Sequence, residues 1–458
     1  MTAAALTREL ADIVGASHVL PGDTAPYGED CTRDRVGLHG VADAVVRPAN
    51  AEEVRRVVGW CYERDIQIVP RGGGTGLAGG AVPIHGGVVV SMERLTAVRS
   101  FDAPLWRAEV EAGLTTATVI RLARENGLLF PPNPGASEQS HIGGNVATNA
   151  GGPRAFKYGV TGNWVTGLEV VVAPGDLVRV GGARRKDVAG YDLRSLFVGS
   201  EGTLGIVTSV WLRLVPAPAA VARLAAFYPD LASGCAAIEQ LVGSGVVPSA
   251  LEYVDEGAVE IGRRSFPGPL PAPTRFIVLI ELDGSAAEVA AQQAEAAGAL
   301  AHGSIGSLVA ADAREGAELW RWRDGLSSVV TAVRGGRLGE DIVVPLDRLA
   351  EVIAGVVQIG ARHGLEACSW GHAGDGNVHA NFLVAAEDAD AQSTADAAAL
   401  ELCDFAVSLG GSISGEHGTG WLKRGRLERH WGPVAAGLHA AIKTAFDPKN
   451  LLNPGKKT

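Results

Sequence analysis

Between Pro70 and Gly80 the chain reads PRGGGTGLAGG. So dense a glycine run cannot occupy the interior of a helix or strand without a large entropic cost, so it is a loop. Both flanks are apolar and β-branched: Ile66–Val69 before it and Gly87–Met92 after it read as strands. A loop with few side chains can turn its N–H groups onto a phosphate at close range. The dinucleotide-binding and Walker loops both run straight into a helix. Here a strand follows, which excludes both, and a pyrophosphate nest between the two strands is favoured over a flexible surface loop. Upstream, Ala44–Arg47 is an apolar run closed by Pro48, and Asn50 with Glu53 three residues on marks the start of a helix over 51–64.

A second uncharged tract follows. Trp106–Glu111 reads as a strand and Thr115–Asn126 as a helix. Then come PPNPGA at 131–136 and IGGNVATNAGG at 142–152. No charged residue lies between Gly143 and Gly152, whereas a solvated loop would carry some. The tract reads as a buried polar loop suited to a large neutral ring system. Leu168–Ala173 reads as a strand, and GSEGTLGIVT at 199–208 as a turn into another. The composition changes at LVPAP, 214–218, a linker. Beyond it strands such as Arg275–Leu282 alternate with alanine-rich helices such as Ser285–Leu300, which predicts an α+β domain with helices packed on one sheet.

The stretch Trp370–Phe382, WGHAGDGNVHANF, carries two histidines around a Gly-Asp-Gly turn. After the turn Asn377, His379 and Asn381 alternate with apolar residues, so they share one face of a strand. Further on, Gly415-Glu416-His417-Gly418 adds a carboxylate and another imidazole. His372, His379 and Glu416 can form a three-ligand metal site with positions left open for substrate. A lone strand histidine is more often hydrogen-bonded and structural, and the spacing matches none of the short metal motifs.

The chain has 458 residues, enough for two or three domains with ample cores. Its net charge of −11, without a basic run, argues against nucleic acid as a partner. None of the five cysteines, Cys31, Cys61, Cys235, Cys368 and Cys403, forms a CxxC pair, which argues against an iron–sulfur cluster and fits reduced thiols in a cytoplasmic protein. The N-terminus, MTAAALTRELADIVG, reads as an amphipathic helix and not a signal peptide. No apolar run is long enough for a transmembrane segment.

The segments PRGGGTGLAGG, PPNPGA, IGGNVATNAGG, FKYGVTGNW, KDVAGYDL and GSEGTLGIVT occur in one order. Together they resemble the vanillyl-alcohol-oxidase-type flavoproteins, in the branch of D-lactate dehydrogenases, glycolate oxidase catalytic subunits and D-2-hydroxyglutarate dehydrogenases. The resemblance implies a two-subdomain, PCMH-type FAD-binding domain over 1–216, and an α+β substrate domain with a helix-covered antiparallel sheet over 217–430. Residues 431–458 would form a tail returning to the flavin domain. It implies that Pro70, Arg71, Gly72, Gly73, Gly74, Thr75, Gly76, Leu77 and Gly80 hold the pyrophosphate. Pro132, Gly135, Gly144, Asn145, Thr148, Gly152, Tyr158, Glu201, Gly202, Gly205, Ile206 and Asn453 would lie near the rest of FAD. The first glycine loop has Thr75 where some relatives carry a flavin-bonded histidine, so the FAD is expected to be non-covalent. His141, where many relatives have a small residue, reads as structural.

The same resemblance implies a D-2-hydroxy acid substrate and a divalent metal, zinc or manganese, on His372, His379 and Glu416. It implies a base at His417, a carboxylate grip at Arg323, and further substrate contacts from Ser327, Arg337, Asn377 and Asn381. Relatives acting on dicarboxylates use a lysine near position 337, where this chain has Arg337. The electron acceptor stays open among a quinone, an electron-transfer flavoprotein, a cytochrome and a partner subunit, and a homodimer is expected. The alternative is a metal-independent flavin oxidase that uses oxygen on an alcohol or sugar.

Overall fold

The computed structural model describes residues 2–457, with the side chains of residues 34 and 35 left aside. The described chain divides into two compact units. The first takes residues up to 151, 160–217 and from 416 onward; the second takes 152–159 and 218–415.

In the first unit, β1 (Val19–Pro21), β2 (Ala44–Val46), β3 (Ile68–Arg71) and β4 (Val88–Ser91) form a sheet in the order β1-β2-β4-β3. Both β2 and β3 pair with β4 in parallel. The helix Ala51–Glu63 joins β2 to β3, opened as expected by Asn50, whose Oδ1 accepts from Glu53 N–H at 2.9 Å. Val54, Val57, Val58 and Cys61 on its inner face are fully buried, each apolar side chain worth roughly 1.5–3 kcal/mol against exposure. The glycine loop joins β3 to β4 with no helix between them, as the sequence requires.

β5 (Val98–Asp102), β6 (Arg107–Glu111), β8 (Val165–Val172), β9 (Asp176–Gly181) and β10 (Ile206–Arg213) form an antiparallel sheet in the order β5-β6-β10-β8-β9. The short strands β7 (Leu128–Leu129) and β11 (Val215–Pro216) pair beside it.

One expectation needs correcting here. The tract read as a loop from 142 is a helix over Ile142–Thr148. Its polar side chains are satisfied locally: Asn145 Nδ2 donates to Thr116 Oγ1 at 2.6 Å and Thr148 Oγ1 to Gly144 O at 3.1 Å. Asn149, at φ 54°, closes it. The absence of charge reflects burial against residue 112, where a Cβ on Gly143 would lie 2.7 Å from Ala112 Cβ.

In the second unit, β12 (Ala220–Tyr228), β13 (Ala250–Val254), β14 (Phe276–Gly284), β15 (Gly306–Val309), β16 (Leu338–Val343), β17 (Ala367–His372) and β18 (Asn377–Phe382) make an antiparallel sheet in the order β15-β12-β14-β13-β17-β18-β16. The helix Ala313–Arg334 lays Leu319, Trp322, Leu326 and Val330 on it at helical spacing, against Ala225, Phe227, Ile277 and Leu279. The alanine-rich tracts are ordinary helices, Ala286–Leu300 and Ala389–Ser408, the first opened by a capping box of Ser285 and Glu288.

The units differ from the expected 217–430 in two places: the second unit ends at Gly415, and it takes in residues 152–159. Charge explains the insertion. Arg154 pairs with Glu281 at 3.0 Å, Lys157 pairs with Asp283, and Tyr158 donates to Asp283 Oδ2 at 2.8 Å. Glu281 and Asp283 are buried on β14; Asp283 takes its cation, Lys157, from this segment, and Glu281 shares Arg154 with Arg223. None of the five cysteines is in a disulfide. Among the described residues, no helix is long and apolar enough to cross a membrane.

Candidate functional site

The first unit contains a cavity of about 430 Å³. The glycine loop supplies one wall, with Pro70, Arg71, Gly72, Gly73, Gly74, Thr75, Gly76, Leu77 and Gly80. Gly135, Gly144, Asn145 and Thr148 supply a second, and Glu201, Gly202, Gly205 and Ile206 a third. Glu416 and His417 line the same cavity, with the ring Nε2 of His417 3.9 Å from Glu416 Oε1. The lining also includes Cys31 and Met92, which sequence reasoning left out, and His141, which it read as structural.

Two observations test whether these residues suit a flavin dinucleotide. Gly144 lies inside a helix, where glycine costs about 0.5–1 kcal/mol against alanine. A Cβ there would meet nothing within 4 Å, so packing does not explain the glycine. Room for a ligand over the helix does. Backbone N–H groups, an arginine and few other charges then suit a pyrophosphate attached to an uncharged ring. Gly144→Leu is accordingly expected to fold with a melting temperature no lower than that of the flavin-free parent while the purified protein loses its flavin absorbance. Retention of flavin by that variant would refute the assignment of this wall.

Four of the expected cofactor residues are not among those that line this cavity. Pro132 is buried off the cavity. Gly152 and Tyr158 belong to the second unit, where Asp283 holds the Tyr158 hydroxyl and, with burial, raises its pKa. Asn453 acts through the backbone: its Nδ2 donates to Gly80 O at 2.9 Å and Glu201 O at 2.8 Å, tying the C-terminal tail to two cavity walls. Glu201 anchors the chain as well as lining the cavity, since its carboxylate accepts from Thr419 N–H at 2.9 Å and Gly420 N–H at 2.7 Å.

The second unit brings together the two histidines of the Trp370–Phe382 stretch. His372 ends β17 and His379 lies on β18, with ring centroids 5.1 Å apart and planes at 88°. Each has a buried carboxylate opposite it on the neighbouring strand. Glu252 faces His372 in the β13–β17 register and accepts from Nδ1 at 2.6 Å. Asp341 faces His379 in the β16–β18 register, 3.8 Å from its Nδ1. At His372 the carboxylate on Nδ1 fixes the tautomer with the lone pair on Nε2, the arrangement usual behind metal-binding histidines, while at His379 the Asp341 carboxylate contributes charge from beyond hydrogen-bond distance. The donor set therefore fits a divalent cation. Glu252 was not legible as a functional residue; its one signal is a charge inside the fully buried strand ALEYV.

Arg323 differs from its expected role. It is 8% exposed, its guanidinium pairs with Glu252, and it lies 3.2 Å from His372 Nδ1. Its charge is already met by a carboxylate, so it acts behind the histidine and not as an open grip. Ser327, Arg337 and Asn381 form a second cluster: Arg337 donates to Ser327 Oγ and Asn381 Oδ1, and stacks 5.6 Å from the Trp370 ring centroid. Asn377 is clamped by Asp341 Oδ1 at 2.7 Å and Ile342 O at 2.8 Å, which leaves its buried Oδ1 without a hydrogen-bond partner. Asp341 also accepts from the backbone N–H of Gly415 at 2.9 Å.

Comparison with known proteins places these features in a family. Residues 217–457 match the C-terminal domain of FAD-linked oxidases, and residues 42–181 match an FAD-binding domain. The chain is 37% identical to the glycolate oxidase subunit GlcD of Bacillus subtilis, covering 94% of this chain and 91% of that one. It is 38% identical to the D-lactate dehydrogenase of Archaeoglobus fulgidus, covering 90% of each. It is 32% identical to the mitochondrial D-2-hydroxyglutarate dehydrogenase of Bos taurus, covering 97% of this chain and 83% of that one. Among solved structures, 4-ethylphenol oxidase from Gulosibacter chungangensis shares the fold at a TM-score of 0.79 and 20% identity, over 99% of this chain and 96% of that one. p-Cresol methylhydroxylase does so at 0.78 and 19%, over 99% and 96%. A glycine-walled cavity sized for a cofactor, a sheet that presents paired histidines and a match over both domains lead to one conclusion: the chain belongs to the FAD-linked oxidases, as a flavoprotein oxidoreductase.

Proposed function

We propose that the protein oxidises a D-2-hydroxy acid of the lactate, glycolate or 2-hydroxyglutarate kind to the 2-oxo acid. The observation that carries this reading is the pair of histidines, each backed by a buried carboxylate, in a chain similar over nearly its whole length to proteins named for those substrates. When bound, non-covalently, FAD would supply the hydride acceptor. A divalent cation, zinc or manganese, would be held by His372, His379 and Glu416 and would supply positive charge that lowers the pKa of a substrate hydroxyl.

The chain's own residues do the rest. Glu252 holds the His372 imidazole with Nε2 available, and Asp341 sets a negative charge beside His379. Arg323 compensates Glu252 and so keeps that carboxylate in place. His417, on the cofactor cavity, takes the hydroxyl proton as general base. Ser327, Arg337, Asn377 and Asn381 form the polar wall for the substrate's oxygens, and the planar guanidinium of Arg337 suits a carboxylate. The electrons then pass to a quinone, an electron-transfer flavoprotein or a partner subunit. A cytoplasmic location accords with five cysteines outside any disulfide.

Anaerobic addition of a D-2-hydroxy acid tests the reading. The oxidised flavin is expected to bleach with at least one of D-lactate, glycolate and D-2-hydroxyglutarate, and to resist L-lactate. Failure with all three would overturn the substrate class.

A further inference from the structure

His141 lines the cofactor cavity but has no part in the chemistry assigned above. It precedes the helix Ile142–Thr148, and its backbone is held by a bridge to Thr115. Its position against the glycine loop is close, since a Cβ on Gly72 would lie 3.6 Å from His141 Cβ. The ring's Nδ1 is buried and has no hydrogen-bond partner. Buried N–H groups are rarely left without an acceptor, so the ring proton sits on Nε2 and Nδ1 keeps its lone pair. Protonation of the ring would put an unsatisfied N–H on Nδ1. Burial lowers the His141 pKa, the facing charge of Arg71 adds to that, and Glu93 opposes it. The ring is therefore neutral at pH 7, and its one donor, Nε2–H, is what it can offer the cavity.

We infer that His141 is a cofactor-binding residue that donates a hydrogen bond from Nε2 to an oxygen of bound FAD. The inference rests on the reading of this cavity as the FAD site. A neutral donor beside Arg71 adds direction without adding charge, which complements an arginine that neutralises phosphate. Two kinds of FAD oxygen have the required chemistry, those of the diphosphate and those of the ribityl–isoalloxazine half.

Titration of FAD into the flavin-free protein, followed by fluorescence, tests it. His141→Ala and His141→Phe are each expected to raise the FAD dissociation constant about tenfold, the worth of one hydrogen bond of about 1–1.5 kcal/mol. His141→Gln, which restores a donor, should stay within about threefold of the parent. The phenylalanine variant keeps a ring in place, so it decides the matter if the alanine variant misfolds. Parallel titrations with ADP and riboflavin locate the acceptor, because only the half that accepts the bond loses affinity. Parental affinity in both the alanine and phenylalanine variants would overturn the proposal, as would a glutamine variant no better than phenylalanine. Failure of the parent protein to bind FAD would instead overturn the reading of the cavity.

Discussion

Glu252→Ala is expected to destabilise the second unit by about 3–5 kcal/mol, because it leaves a charge buried without its partner. Glu252 is fully buried, Arg323 nearly so, and the two are ion-paired. Removing the carboxylate strands the guanidinium in the sheet and takes the acceptor from His372 Nδ1. The cost is therefore that of a buried cation left facing the more exposed Asp324 carboxylate at 3.5 Å, and not merely of a lost contact. Urea unfolding monitored by the tryptophans beside this face, Trp322 and Trp370, measures it. A double-mutant cycle with Arg323→Met separates the two roles. If the ion pair dominates, the double variant should recover much of the stability lost by Glu252→Ala but none of the activity. If the single variant unfolds at the parental midpoint, Glu252 is not compensating Arg323.

The second large effect concerns the cation. His372→Ala is expected to lower bound zinc or manganese below one equivalent and to slow flavin reduction by about a thousandfold. That factor corresponds to losing about 4 kcal/mol of charge stabilisation at the substrate hydroxyl. Glu252→Gln should do less, about 10–100-fold, since it disturbs the imidazole's tautomer and orientation while leaving the ligand in place. Metal analysis of the purified variants and single-turnover reduction rates check both. A full metal complement in His372→Ala would remove that residue from the ligand set.

Local signals carried much of this architecture into the sequence. The glycine loop, its two flanking strands and the Asn50-capped helix depend on residues a few positions apart, and each forms as expected. The alternation of Asn377, His379 and Asn381 correctly marked a strand, because a period of two survives in any context. What the sequence concealed is long-range pairing. The Glu252–His372–Arg323 cluster joins residues far apart in the chain, and no local pattern distinguishes an arginine reserved for a buried glutamate from one left open to substrate. The capture of residues 152–159 by Glu281 and Asp283 is of the same kind. The helix at Ile142–Thr148 was missed for a different reason: two glycines and two polar side chains suppress helix propensity, and tertiary hydrogen bonds override that preference.

The claim at the centre is that a cation on these histidines is required for hydride to leave the hydroxy acid. The direct measurement is the anaerobic rate of flavin bleaching by D-lactate, or whichever acid proves active, before and after a strong chelator strips the holoprotein. Bleaching should collapse on chelation with FAD still bound, and return when zinc or manganese is added back. Bleaching at an undiminished rate in metal-free protein would contradict the account.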